Sequence, residues 1–137
     1  MICLLLLPLV LSAPVLAESR LMQVVNGAAS WYGPGFFGSR TANGETLRQG
    51  TMTAAHRTLP FGTRVRVTNL TNGKTVVVRI NDRGPHQQHR VIELAQGAAT
   101  ELEMIRDGEV PVRLEVLPLG DCYAAFSVAE RPVAGSP

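Results

Sequence analysis

The stretch Val76-Val77-Val78-Arg79-Ile80-Asn81-Asp82-Arg83-Gly84-Pro85 limits the choice of fold more than any other part of this chain. Val76, Val78 and Ile80 alternate with Val77 and Arg79, and a β-branched run of period two is what a strand in a closely packed sheet requires. Asn72-Gly73 separates this run from Arg64-Val65-Arg66-Val67-Thr68, which alternates in the same way. The dipeptide predicts a hairpin closed by a type I′ turn, with positive φ at both central residues. Gly84-Pro85 ends the second strand, because Pro lacks an N–H and Gly tolerates positive φ, so a tight turn is expected over residues 81–84. Asp82 is then the carboxylate of a polar turn held by a rigid strand. That arrangement suits a reacting group, and it equally suits a side chain that only caps backbone N–H groups.

The rest of the chain repeats the strand pattern in shorter pieces. Gly27-Ala28-Ala29-Ser30-Trp31-Tyr32-Gly33 reads as a strand of small residues opening onto aromatics, and Met52-Thr53-Ala54-Ala55-His56 and Arg90-Val91-Ile92-Glu93-Leu94 read as short strands. Val110, Val112, Leu114 and Val116 alternate along a last strand, and Ala98, Leu102 and Ile105 at helical spacing predict one helix over residues 95–104. With 13 Gly, 9 Pro and few aromatics, this is an all-β, turn-rich composition. So few strands protect their edges only by closing into a small barrel.

The 137 residues allow one domain with a single core, and it is expected to be a monomer. Residues 1–17 carry no charge, are rich in Leu and end in Val15-Leu16-Ala17, so they read as a signal peptide cleaved after Ala17. Cys3 leaves with it, and Cys122, the one remaining thiol, has no partner for an intramolecular disulfide. Residues 18–26 read as a linker leading into the first strand, 27–117 as the barrel and 118–137 as a loose tail. The mature chain contains no stretch able to form a transmembrane helix. A net charge of +2 excludes the electrostatic footprint of a nucleic-acid binder. Arg far outnumbers Lys, which fits a groove for a polar or anionic polymer, with Arg40, Asn43 and Arg83 as candidate contacts.

Three side chains are placed to cooperate at one rim of such a barrel: Glu45 in the Gly-rich loop 33–50, His56 at a strand end and Asp82. Together they suit glycosidic bond cleavage, in which a carboxylic acid protonates the leaving oxygen and an oxocarbenium-like transition state is stabilised. Apolar burial beside Val78 and Ile80 favours the neutral acid, and Arg79 and Arg83 favour the carboxylate. Trp31, Tyr32, Phe36 and Phe37 offer faces on which sugar rings stack. A metal site shared by His86 and His89 competes with this reading, but no Cys or carboxylate cluster completes a ligand set. Phosphate-cradling glycine motifs and a Gly-x-Ser-x-Gly elbow are missing, so neither a metal nor another cofactor is expected.

Four ordered motifs, Gly27-Ala28-Ala29-Ser30-Trp31-Tyr32-Gly33, Thr41-Ala42-Asn43-Gly44-Glu45, Thr53-Ala54-Ala55-His56 running on to Thr63, and Val78-Arg79-Ile80-Asn81-Asp82-Arg83-Gly84-Pro85, resemble the rare lipoprotein A family of septal-ring lytic transglycosylases. The resemblance covers residues 27–117 and implies a six-stranded double-psi β-barrel with one or two short helices. It also implies endolytic, non-hydrolytic cleavage of peptidoglycan glycan strands, denuded ones in particular, in the periplasm or cell envelope. Asp82 maps onto the family's general acid/base, with Glu45 and His56 on the two other motif residues. The family usually carries aspartate where Glu93 stands and serine where Ala95 stands, so a helix N-cap or a substrate contact is altered here. A non-enzymatic reading remains beside this one, an expansin-like barrel that binds glycan without cutting it, as does a hydrolase on the same strands.

Overall fold

The alternation in the sequence turns directly into burial. The computed structural model describes residues 23–118; the expected leader, Cys122 and the expected tail from residue 119 onward lie outside the described residues. Six strands form: β1 (Val24–Trp31), β2 (Thr53–Ala55), β3 (Arg64–Asn69), β4 (Thr75–Asp82), β5 (Arg90–Leu94) and β6 (Glu109–Val116). A 3-10 turn at Pro34–Phe36 follows β1, and the helix α1 (Gln96–Glu101) lies between β5 and β6. Val65, Val67, Val78, Ile80, Ile92, Leu94, Val112 and Leu114 point into one core, all at 2% exposure or less. Each such side chain contributes roughly 1.5–3 kcal/mol by leaving water.

The strands close in the order β1-β5-β2-β4-β3-β6. β1/β5 and β2/β4 are parallel pairs, and the other contacts are antiparallel. Closure leaves no edge to cover, as the short strands required. Each parallel pair is broken by a register shift, at Ala28/Ala29 in one and Ala54/Ala55 in the other. In the first, Ala28 pairs with Arg90 and Ala29 with Ile92, which leaves Val91 without a partner. Gly27 makes room for it, since a Cβ there would lie 2.3 Å from Val91 Cγ1.

Several boundaries differ from the sequence reading. β1 begins at Val24, because Val24, Val25 and Asn26 pair with Glu115, Leu114 and Arg113, so the barrel includes residues assigned to the linker. The β3/β4 hairpin forms, but not with a type I′ turn: only Gly73 has positive φ, and the loop is the four-residue kind that spans 70–73. Asn81 and Asp82 belong to β4 and not to a turn after it. α1 is shorter than expected because Asn69 and Asn72 both donate to the Leu102 carbonyl at 3.0 Å, and Glu103 takes positive φ just beyond it.

α1 starts without a side-chain cap, since its N-cap is Ala95 in an extended conformation. Ala95→Ser is therefore expected to stabilise the domain by about 0.5–2 kcal/mol, because the hydroxyl accepts from N–H groups that an alanine leaves unpaired. Thermal melting of the two proteins checks this, and a lower Tm for the serine variant would show that the buried hydroxyl finds no donor.

Candidate active site

β4 carries an extra residue at its end, and that residue builds the site. Ala54 pairs with Ile80 and Ala55 with Asp82, so Asn81 and Asp82 together face one residue of β2. Alternation from Val78 and Ile80 would have sent Asp82 into the core. The bulge turns Asn81 and Asp82 to the outer side of the barrel wall, the side of Arg79, where loop 33–50 covers them.

The Asp82 carboxyl is held by three donors. Tyr32 Oη donates to Oδ2 at 2.8 Å, and the N–H groups of Ala42 and Arg83 donate to Oδ1, each at 2.8 Å. Two of these are backbone contacts of the capping kind, so Asp82 pins the loop as well as facing solvent on its half-exposed side. Burial, and then the Asp82 carboxylate, push the Tyr32 hydroxyl far above its ordinary pKa, so it stays a donor.

Glu45 does not touch Asp82. Its carboxylate receives Arg79 on both oxygens, at 2.6 and 2.7 Å, together with Asn43 Nδ2 at 2.7 Å and Asn81 Nδ2 at 3.3 Å. Asn43 N–H in turn donates to the Asn81 carbonyl at 3.2 Å. Glu45 and Asn43 thus fasten the loop to Arg79 and to the bulge residue Asn81, and Asn43 spends its side chain inside the loop. The Arg79 bonds, then the Asn43 bond, lower the Glu45 pKa from 4.5 to about 2.

A carboxyl depressed on folding contributes stability that is present above its unfolded pKa of 4.5 and is lost as pH falls through about 2. The side chain is 41% exposed, so salt screens the contribution. Glu45→Gln is expected to flatten the fall in Tm between roughly pH 4.5 and 2. Melting curves across that window check it, and an unchanged slope would assign the acid sensitivity to other groups.

His56 follows β2, and its backbone N–H donates to the Asp82 carbonyl at 3.2 Å. Its Nδ1 accepts from Thr58 and Leu59 N–H, each at 3.1 Å, which leaves the proton of a neutral ring on Nε2. Burial, followed by the charges of Arg57 and Arg83, lowers the pKa of the ring, so the neutral form is favoured. Arg83 donates to the carbonyls of Leu59 and His56 at 2.8 and 3.2 Å and lies over the Phe61 ring at 4.0 Å. Arg57 holds the carbonyls of Pro85, Gln87 and Arg90. Both guanidiniums, with Gly84, Pro85, His86 and Gln88, line an open cleft of about 680 Å³; Asp82 is not part of its lining and adjoins it only through the next residue, Arg83. Gly84 has φ +130, a conformation that side chains rarely adopt.

The other candidates divide. Phe36 is exposed and tilted against Tyr32 at 6.1 Å between centroids, a surface on which a sugar can stack. Trp31 instead packs partly buried against the core. Arg40 is exposed and donates to the Gly44 carbonyl within its own loop at 3.4 Å. His89 is bonded to Glu109 and not paired with His86, and no metal-binding cluster of His, Cys, Asp or Glu occurs among the described residues. The roles of Arg79 and Arg57 as loop fasteners escaped the sequence. For Arg79 a signal was available, a lone charge on the outward phase of an otherwise aliphatic strand.

The family described as "Lytic transglycolase" matches residues 24–114. The chain is 54% identical over 111 residues to the endolytic peptidoglycan transglycosylase RlpA of Campylobacter jejuni, a match that covers 81% of this chain and 40% of that protein. It is 56% identical over 101 residues to the probable endolytic peptidoglycan transglycosylase RlpA of Synechocystis, covering 74% and 32%. The chain therefore spans 40% or less of these relatives. Among solved structures, the Streptomyces papain inhibitor superposes with TM-score 0.58 at 21% identity, covering 74% of this chain and 100% of that one. A Clavibacter michiganensis expansin does so with TM-score 0.58 at 19% identity, covering 71% and 52%. These two likenesses are of fold.

Proposed function

The chain belongs to the lytic transglycosylase family, and from that premise we propose that its barrel cleaves peptidoglycan glycan strands between N-acetylmuramic acid and N-acetylglucosamine, leaving 1,6-anhydro-muramic ends. The observation that carries this reading is one carboxyl, Asp82, half-exposed and fixed by three donors, next in the chain to Arg83, which lines an open cleft. Asp82 gives its proton to the glycosidic oxygen as the C1–O bond breaks, then accepts the proton of the 6-hydroxyl as that oxygen closes on C1. No water is consumed, and no second protein nucleophile is needed. Glu45 holds the loop that supplies the Ala42 N–H to Asp82, and His56 offers Nε2–H to substrate. Export by residues 1–17 into the periplasm or cell envelope, a part in cell division and a monomeric state belong to the same proposal.

Incubation of the purified protein with denuded strands, without added metal, tests it. Mass spectrometry should find fragment ends that lack the elements of one water. Reducing ends would identify a hydrolase, which needs a second carboxylate to activate water, and Glu45 is too committed to Arg79 to serve easily. Intact strands that merely co-sediment with the protein would make it an expansin-like binder.

A further inference from the structure

Arg57 and Arg83 carry two positive charges that the proposed reaction leaves unused. Both side chains are exposed, both line the open cleft of about 680 Å³, and among the described residues no carboxylate forms an ion pair with either. Their hydrogen bonds go to backbone carbonyls alone: Arg83 Nη1 donates to His56 and Leu59, and Arg57 Nε and Nη2 donate to Pro85, Gln87 and Arg90. Carbonyls orient a guanidinium without cancelling its charge. Arg83 also lies over the Phe61 ring at 4.0 Å, so its plane is set from two sides. Among the described residues nothing occupies its Nε–Nη2 edge, the paired N–H fork that matches a carboxylate, and Arg57 Nη1 is unbonded as well. We propose that this cleft is an anion subsite and that it seats the free lactyl carboxylate of muramic acid.

The proposal rests on the cleavage reading above and names the part of the strand that the cleft takes. Hydroxyls, acetamido groups and ether oxygens leave the sugar backbone of such a strand uncharged. Its ionisable group is the carboxyl of each lactyl ether, and that carboxyl is an anion only where no peptide has turned it into an amide. The ether stands on the ring whose C1–O bond is cleaved, so the carboxylate and the reacting carbon belong to one sugar. The protein offers a matching layout, because the Arg83 N–H donates to Asp82 Oδ1 at 2.8 Å: the residue whose side chain lines the cleft also holds the acid. Gly84 and Pro85 form the buried part of the lining, and Arg57, Arg83, His86 and Gln88 its exposed polar part. One carboxyl approaches this lining, that of Glu93, with Oε2 3.8 Å from where a Cβ on Gly84 would stand, and it pairs with neither arginine.

Three kinds of soluble strand test this: denuded strands, the same strands with the lactyl carboxyl converted to the neutral carboxamide, and strands that keep their stem peptides. Kd is measured on Asp82→Asn, so that the strand stays whole, and KM and kcat on the unsubstituted protein. Carboxamide strands are expected to bind at least about fivefold more weakly than denuded ones, with KM rising alike and kcat within about threefold. Peptide-bearing strands should bind no tighter than carboxamide strands; binding as tight as that of denuded strands would make a stem-peptide carboxylate the ligand and overturn the proposal. Adding Arg83→Gln should bring denuded and carboxamide strands within about twofold of each other. Adding Arg66→Gln instead, at an exposed arginine paired with Glu115, should keep the gap. No gap to begin with, a gap that survives Arg83→Gln, or one that Arg66→Gln erases equally overturns the subsite. Where melting shows that Arg83→Gln does not fold, the nitrogen-15 signal of the Arg83 Nε–H decides: denuded strands should shift it and carboxamide strands should not, and equal or absent shifts overturn the subsite. Failure of the unsubstituted protein to release anhydro ends would instead overturn the cleavage reading, and the Kd comparison would still decide what the cleft binds.

Discussion

Asp82→Asn is expected to slow the release of anhydro ends by at least about 100-fold while moving Tm by no more than a few degrees, because a positioned acid/base contributes roughly 10²–10⁴ in rate. The amide keeps an oxygen for the Ala42 and Arg83 N–H groups, and its nitrogen can donate to the Tyr32 hydroxyl, so the loop stays fastened. What disappears is a proton that can be given and taken back. The alternative role, a carboxyl that serves only to cap backbone groups, makes the opposite forecast: the asparagine variant would cut at the normal rate. Rate and melting should be measured on the same sample. Near-normal turnover would sink the catalytic role of Asp82, and a collapse of Tm in step with the rate would make the residue structural.

Ile80→Ala is expected to do the reverse. Ile80 is fully buried two residues before Asp82 and precedes the bulge, and its truncation leaves a cavity in a core that is closed on all sides. Such substitutions cost about 2–5 kcal/mol. For a domain of this size each kcal/mol lowers Tm by roughly 4–8 °C, so a fall on the order of 10–30 °C is expected. Below the transition the folded fraction should still cleave strands, since no atom that contacts the carboxyl has been removed. A drop in turnover per folded molecule comparable to that of Asp82→Asn would show that β4 transmits core packing to the site, and a Tm within a few degrees of the parent would show that the barrel collapses around the missing methyls.

Much of the fold was legible because the core is written in period two. Val65, Val67, Val78, Ile80, Val112 and Leu114 were assigned to strands from alternation alone, and closure followed from the scarcity of strands. The site was legible as a set of residues and not as an arrangement. Alternation places Asp82 with Ile80 inside the barrel, and only the pairing of β4 with β2 reveals the extra residue that turns it out. Pairing between strands distant in sequence leaves no mark on local pattern, which is also why Glu93 stood out only as a departure from a resembling family and not as a residue paired, like Asp82, with Ala55. Glu45 was picked out as a possible partner in the chemistry, yet its carboxylate is occupied by Arg79, a residue 34 positions away. The turn at residues 70–73 failed for a different reason: Asn-Gly favours the two-residue turn, but Asn69 and Asn72 are drawn to the Leu102 carbonyl, and that tertiary contact decides the loop length.

The closing contact of the barrel joins β1 to β6, the first strand to the last. A nascent chain has therefore nothing to shut β1 against, and every intermediate before the arrival of residues 109–116 exposes strand edges and the inner faces of the core. Folding of this domain in that sense waits for residues 109–116, governed by the slow search that distant strand pairings impose and expected on roughly the millisecond-to-second scale. The candidate site forms with it, since Asp82 takes its place opposite Ala55 only when β4 has docked on β2.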